Sequence, residues 1–506
     1  MDNANLYDIY SRNFPTERAS EFLRTNDGLS FSYSTLDQES ARLARFLTQL
    51  GLKPGDRVTV QAEKTPNFIW LYLACLRGGF VFHPLNPAYT SAEVRYFLED
   101  AEPTLLVHDS AFASSLTPLA DTLKIKLRYT LDVGGGGTLL DAAANTDADF
   151  ESVTSAPDAL AALLYSSGTT GKPKGIMLSH VNLASNARAL AAAWGFGAQD
   201  VLLHVLPLFH VHGLFIALGC SLMSGSRVLF CPRFEVAETL RLLPAATVMM
   251  GVPTYYTRLL ATTELSREHC RNVRLFTSGS APLASDTWHA FDTRTRHQIL
   301  ERYGMTETSV ITTNPLNGAR KPSAVGVPLP DVEVRIVNDA GEGVPAGETG
   351  HVQVRGPSVF KGYWRLPEKT REDFAADGFF RTGDDGRIDE DGYLFLVGRA
   401  KDLIITGGLN VYPSEVEGVL DDLPEVLESA VIGLPHADFG EQVIAVVVTK
   451  PEIPWDEQMV RNAVRTQLAP YKCPKRYVVC AALPRNAMGK VQKNVLRETY
   501  ATDGGA

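Results

Sequence analysis

The chain has 506 residues, 45% hydrophobic and 21% charged, with a formal net charge of −10. That length exceeds one compact domain, and the composition is ordinary for a globular protein, so two or more domains with sizeable cores are expected. The acidic balance argues against a nucleic-acid-binding face, yet leaves room for a local basic site that holds phosphates.

The first third alternates helix and strand. Residues 34–50 place Leu36, Ala41, Leu43, Ala44, Phe46 and Leu47 at helical spacing, with Gly51 as a stop. Residues 56–61 read as a β-branched strand, 67–76 as an apolar helix, 80–85 as a strand, 91–100 as a helix and 104–108 as a strand. Such alternation predicts a parallel sheet with helices on both faces. The Gly134–Gly137 run reads as a surface loop.

Residues 165–175 read Tyr-Ser-Ser-Gly-Thr-Thr-Gly-Lys-Pro-Lys-Gly. Gly168 and Gly171 let backbone N–H groups converge on an anion, Ser166, Ser167, Thr169 and Thr170 add hydroxyls, and Lys172 and Lys174 add charge. That is the chemistry of holding a polyphosphate. It is not a Walker A loop, because the glycine spacing is too short and Pro173 follows the lysine.

The apolar run 213–223 is too short to span a bilayer and reads as a buried core helix or strand pair, so no membrane span is expected. Further on, residues 332–337 and 350–355 alternate as short strands of a small antiparallel sheet or barrel, and 384–397 reads as a hairpin turning at Asp391-Gly392. After Gly398–Asp402 comes a compact α+β unit: helix 413–423, strands 427–433 and 442–448, helix 457–468 and strand 476–479. The six cysteines are scattered, without CxxC or zinc spacing, which fits buried thiols in a reducing cytosol. The first residues show no basic and apolar leader, so a cytoplasmic location is expected.

Further polar motifs follow the 165–175 loop in order: Pro207–Gly213 (PLFHVHG), Gly251–Arg258 (GVPTYYTR), Ser278–Pro282 (SGSAP), Arg302–Glu307 (RYGMTE), Arg381–Asp384 (RTGD), Gly398–Lys401 (GRAK), Gly407–Asn410 (GGLN) and Pro484–Lys490 (PRNAMGK). Together they resemble the adenylate-forming superfamily of acyl-CoA synthetases, adenylation domains and firefly-type luciferases, over nearly the whole chain. Within it, the wording of 206–213, 251–260 and 483–497 is most similar to malonyl-CoA synthetases.

The resemblance implies an α/β fold: a large N-terminal domain (residues 1–398) of two doubly wound subdomains plus a small β-barrel, a hinge at 399–401, and a small mobile α+β C-terminal domain (402–506). It implies ATP, Mg²⁺ and coenzyme A as co-substrates and cofactor. It also assigns roles. Ser166, Ser167, Gly168, Thr169, Thr170, Gly171 and Lys174 hold phosphates. Gly279, Ser280, Ala281, Pro282, Arg302, Tyr303 and Gly304 border the adenine, and Asp384 and Arg399 hold the ribose. Glu307 and Thr170 bind the metal, and Lys490, Glu307, Thr306 and His210 act in catalysis. Lys401 is the hinge residue, and Gly407, Gly408 and Leu409 line the thiol channel.

Arg258, His210, His212 and Met305 are the expected acid pocket, Arg258 pairing a distal carboxylate as an arginine can. His210 and His212 share a face only if their segment is extended or turns suitably. The expected substrate is malonate, with methylmalonate, oxalate or another short acid, or loading of a separate carrier protein, as alternatives. The sequence leaves oligomeric state open.

Overall fold

The computed structural model describes residues 3–166, 173–399, 402–406, 409–436, 439–468, 470–486 and 489–501. The early helices form where their caps say they should. Tyr33–Gln49 starts at Ser32, whose side chain accepts from the Thr35 N–H. Pro66–Gly78 has Thr65 as its N-cap, proline in its first turn and Gly79 in the left-handed region at φ 69° as its stop. From Phe68 onward this helix is buried on every side, as its all-round apolar sequence requires. Thr90 and Glu93 form a reciprocal capping box on Ser91–Ala101.

Two large sheets result. The first is six-stranded, in the order Leu127–Thr130, Leu105–His108, Arg57–Gln61, Val81–Pro84, Leu160–Tyr165, Gly175–Ser179. All its pairs are parallel except the last, which is an antiparallel hairpin. In the second, strands Glu21–Thr25, Arg227–Phe230, Val201–His204, Val248–Gly251, Leu275–Ser278 and Leu300–Met305 lie side by side in parallel. The antiparallel strands expected after residue 325 do not stand apart: through Ser309–Thr313 and Ala324–Pro328 they are hydrogen-bonded onto the end of this second sheet. One apolar core spans both sheets and the antiparallel strands.

The run after Gly213 is a helix, but it opens with a π-helical turn, His212–Ala217, before the α-helix Leu218–Ser224. Gly134–Gly136 is exposed, as expected of a surface loop.

The small C-terminal domain is a five-stranded sheet of Leu409–Val411, Ile404–Thr406, Gly440–Thr449, Val426–His436 and Arg476–Val479. Its long central strands alternate faces. Val431, Val443, Ala445 and Val447 pack with Val416, Leu420, Val460 and Val464 of two helices, whereas Ile432, Leu434, Ile444 and Val446 pack with Leu496 of the last helix. This period of two explains why a short unit buries two cores. The loop before Lys490 meets the large domain: a Cβ built on Gly489 lies 3.2 Å from Thr254 Oγ1. No helix among the described residues is long and apolar enough to cross a membrane.

Candidate active site

Four neighbouring parallel strands of the second sheet run in one direction, so the segments that leave their carboxyl ends converge. These are the His210–His212 turn after Val201–His204, the helix Pro253–Ala261 after Val248–Gly251, and Gly279–Ser280 after Leu275–Ser278. Beside them Arg302 and Tyr303 sit in the strand Leu300–Met305. Crevices at such strand ends are where open α/β sheets bind ligands.

The two histidines do come together. His210 lies in a turn and its Nδ1 accepts from the His212 backbone N–H at 3.2 Å. His212 opens the π-helical turn, is fully buried, and bonds Ser280 Oγ through Nδ1 at 3.2 Å. Ser280 is held at φ 72°, a left-handed conformation unusual for serine and a mark of stored strain at a site. Burial, then the Arg302 charge, lowers the His210 pKa to about 4 and drives that of His212 well below its ordinary value, so both rings are neutral hydrogen-bonding walls near neutral pH.

Arg302 is the buried cation of this group. It is 6% exposed, and its Nε and Nη2 have no hydrogen-bond partner among the described residues. Burial lowers its pKa to about 10, which leaves it charged. Its guanidinium packs against Gly279, where a Cβ would come within 2.4 Å of Arg302 Cζ, so any side chain there requires Arg302 to shift. Arg258 differs. It stands exposed on Pro253–Ala261, one turn on from Thr254 and so on the same helix face toward the Gly489 loop. Arg258 is thus exposed, whereas Arg302 is buried with Nε and Nη2 unbonded among the described residues. Met305 is half-buried at the end of the same strand.

On the other side, the Tyr303 hydroxyl donates to Asp384 Oδ2 at 2.5 Å. Asp384 lies within the strand Phe380–Ile388, opposite Arg399 in the next strand. Gly304 has no room for a side chain, since a Cβ would lie 1.8 Å from Ser309 O where the strands Leu300–Met305 and Ser309–Thr313 turn. Thr306 and Glu307 occupy that turn. The Glu307 backbone oxygen accepts from the Phe360 N–H at 2.7 Å, and its carboxylate lies 3.5 Å from the Tyr363 hydroxyl.

Lys174 sits over the Tyr363 ring at 4.2 Å and 3.8 Å from Asp373, and so borders the same patch. The 165–175 loop closes as a hairpin: Ser166 N–H donates to Lys174 O, and Lys174 N–H to Ser166 Oγ, both at 3.0 Å. Ala281 is half-buried and Pro282 exposed just beyond Ser280. The buried Glu307 carboxylate suits a hard divalent cation whose remaining ligands are phosphate oxygens, an arrangement that needs no cluster of protein ligands. Among the described residues there is no group of three His, Cys, Asp or Glu that could hold a metal.

Lys490 is half-buried, its N–H bonded to Asn486 Oδ1 at 3.0 Å in the loop that meets Thr254. Ser167, Gly168, Thr169, Thr170, Gly171, Lys172, Lys401, Gly407 and Gly408 lie outside the described residues, as do the side chains of Arg399 and Leu409.

Three residues went unseen in the sequence. Tyr363 bridges Glu307 and Lys174 from a loop with no motif around it. Lys64 and His204 pair beneath the His212 turn. Their signal was present: both stand at the carboxyl end of a parallel strand, Lys64 between Arg57–Gln61 and the helix cap Thr65, and His204 as the last residue of Val201–His204.

The AMP-binding enzyme family matches residues 10–364, and the AMP-binding enzyme C-terminal domain matches 415–490. The chain belongs to these adenylate-forming enzymes, and it is an AMP-forming acid–thiol ligase that works with ATP, magnesium and coenzyme A. Among particular proteins it is 35% identical to the malonate–CoA ligase of Arabidopsis thaliana, over 94% of this chain and 85% of that one. It is 33% identical to the oxalate–CoA ligase of the same plant, over 98% of both. The ATP-bound crystal structure of MatB from Rhodopseudomonas palustris is 48% identical and superposes with a TM-score of 0.97, covering 99% of this chain and 100% of that one. The apo form of that protein superposes at 0.86.

Proposed function

We propose that the chain joins malonate to coenzyme A in two half-reactions. A carboxylate oxygen of malonate attacks the α-phosphorus of ATP. The bond from that phosphorus to the bridging oxygen breaks, and pyrophosphate leaves. The thiol sulfur then attacks the acyl carbon, its proton is lost, and AMP departs with the electron pair of the carbon–oxygen bond. Both steps crowd negative charge, so positioning and electrostatics carry most of the catalysis.

The observation that carries the choice of acid is the buried Arg302 guanidinium beside His210 and His212, whose Nε and Nη2 have no partner among the described residues. A buried, unpaired cation is costly, and a distal carboxylate satisfies it. A simple alkanoate has no group to offer there. Arg258 guards the mouth, where the Gly489 loop closes, and Lys490 holds the reacting carboxylate and α-phosphate together. The Glu307 turn and the Ser166–Lys174 hairpin hold the metal and phosphates, and Asp384 holds the ribose beside Tyr303. Residues 399–401 are the hinge between domains 1–398 and 402–506.

Oxalate is the second reading, favoured by the full-length similarity to an oxalate–CoA ligase. An ATP–pyrophosphate exchange screen across short mono- and dicarboxylates, followed by addition of coenzyme A, separates the two. Malonate is expected to give the fastest exchange and the thioester. Faster exchange with oxalate, or with a fatty or aromatic acid, overturns malonate as the substrate.

A further inference from the structure

Lys64 is 7% exposed, an unusual place for an ammonium group, and it has a defined partner. Its Nζ lies 2.9 Å from both Nδ1 and the backbone oxygen of His204, and 4.5 Å above the Phe230 ring. A lysine amine donates, so His204 Nδ1 accepts and its proton is on Nε2. That Nε2 is 2.9 Å from Gly213 O. The tautomer therefore has one self-consistent assignment, in which His204 donates to the π-helical turn.

Gly213 O also accepts from Leu218 N–H, five residues on. A side chain that inserts into a helix's hydrogen-bond ladder distorts the helix there, and single π turns gather at functional sites. The turn also requires Gly213 itself, since a Cβ would lie 2.0 Å from Pro207 O. One residue before Gly213 is His212, bonded to Ser280. The chain of contacts runs from the first sheet, through Lys64 and His204 of the second, to the wall of the acid pocket.

We propose that Lys64 is a positioning residue for the acid pocket, acting through His204 to hold the wide helical turn that presents His212. The proposal rests on reading His210, His212 and Arg302 as that pocket. While protonated, Lys64 makes charge-assisted bonds to His204, stronger than those of a neutral amine. Burial lowers its pKa to about 7, with Cys231 opposing. The groups facing it are His204 and Cys231. Around Cys231 lie Glu235, Glu238 and Arg241, while Glu63 on its own segment is exposed. As pH rises through neutrality the ammonium is lost and the bonds to His204 weaken. His210, at about 4, and Arg302, at about 10, do not titrate there.

The test is pyrophosphate exchange with Lys64→Met, His204→Gln and the double variant, using whichever short acid drives exchange in the parent enzyme. The outcome is thus independent of whether that acid is malonate. Lys64→Met is expected to lower kcat/KM for the acid about tenfold, the size of effect seen when a buried polar group loses its partner, with the KM for ATP within about twofold. His204→Gln is expected to match it, and the double variant to be no worse than either alone. The parent profile of acid kcat/KM is expected to fall as pH rises through about 7, a break that Lys64→Met loses. An unchanged acid KM and kcat, an equal loss toward ATP, or a break that persists in Lys64→Met overturns the proposal. Should Lys64→Met not fold, His204→Gln must show the acid-selective loss by itself, and its absence overturns the proposal equally.

Discussion

A guanidinium buried without an acceptor is a liability to the empty protein and an asset to the liganded one. Arg302 is held that way: Gly279 lets the backbone lie against it, and neither Nε nor Nη2 finds a partner among the described residues. Replacing a buried unpaired charge with an apolar side chain of similar length removes a desolvation cost. Arg302→Met is therefore expected to raise the thermal midpoint of the ligand-free enzyme. If malonate is the acid, the substitution is also expected to lower kcat/KM for malonate by at least about 30-fold, the low end for losing a buried charged contact. Calorimetry and exchange kinetics on one preparation check both halves. Arg258→Ala, at an exposed position, is expected to cost less than Arg302→Met with the same acid. If Arg258→Ala is the more damaging, the distal carboxylate is read at the mouth and not at the buried arginine.

At the scale of the element, the hairpin Leu300–Met305 and Ser309–Thr313 carries Arg302, Tyr303 and Glu307 on one continuous piece of backbone. Its register shifts between Tyr303 and Gly304, and Gly304 is where the two strands approach too closely for any side chain. Gly304→Ala must push the strands apart. Overpacking of this kind costs about 1–3 kcal/mol. The expected result is a lower first unfolding transition together with a raised KM for ATP, measured by calorimetry and by exchange at varied ATP. A drop in stability with the ATP KM unchanged separates the hairpin from nucleotide positioning.

Elements of this kind also set how far the sequence could be read. The alternation before residue 110 gave the first parallel sheet, because each strand and helix there has its own cap and period. The order of elements read after residue 402 included three strands of the C-terminal sheet, whereas the short strands Ile404–Thr406 and Leu409–Val411 were not read. The order of polar motifs named the loops at the strand ends. What stayed hidden needed distance in three dimensions. Lys64 meets His204 across 140 residues, and Tyr303 meets Asp384 across 81. The π turn at His212 was hidden for another reason: its sequence is uniformly apolar after Gly213, and nothing in that pattern distinguishes five-residue from four-residue hydrogen bonding. Arg302 was read with the nucleotide because its motif continues into Tyr303. Both side chains are buried, and what separates them is their partners: Tyr303 bonds Asp384, whereas Arg302 Nε and Nη2 have none among the described residues.

For the whole molecule, the arrangement of the two domains matters as much as either one. The chain superposes on an ATP-bound relative at a TM-score of 0.97 and on the apo form of that relative at 0.86. In this arrangement the Gly489–Lys490 loop lies on Thr254, at the start of the helix Pro253–Ala261. If thioester formation needs the small domain to turn away, fixing this contact stops the second half-reaction and spares the first. The geometry allows the fixing: a Cβ at Gly489 lies 3.9 Å from Thr254 Cβ, within the usual span of a disulfide. Gly489 sits at φ 75°, so cysteine there carries some backbone strain, which the cross-link must hold. Cys75, Cys220, Cys231, Cys270 and Cys473 are buried, which leaves few native thiols to compete. The oxidised Thr254→Cys, Gly489→Cys double variant is expected to keep ATP–pyrophosphate exchange within about tenfold of its reduced form and to lose thioester formation, with a reductant restoring it. Full thioester synthesis by the cross-linked protein, verified as cross-linked by mass, means that both half-reactions run in the arrangement described above and that no domain rotation is required.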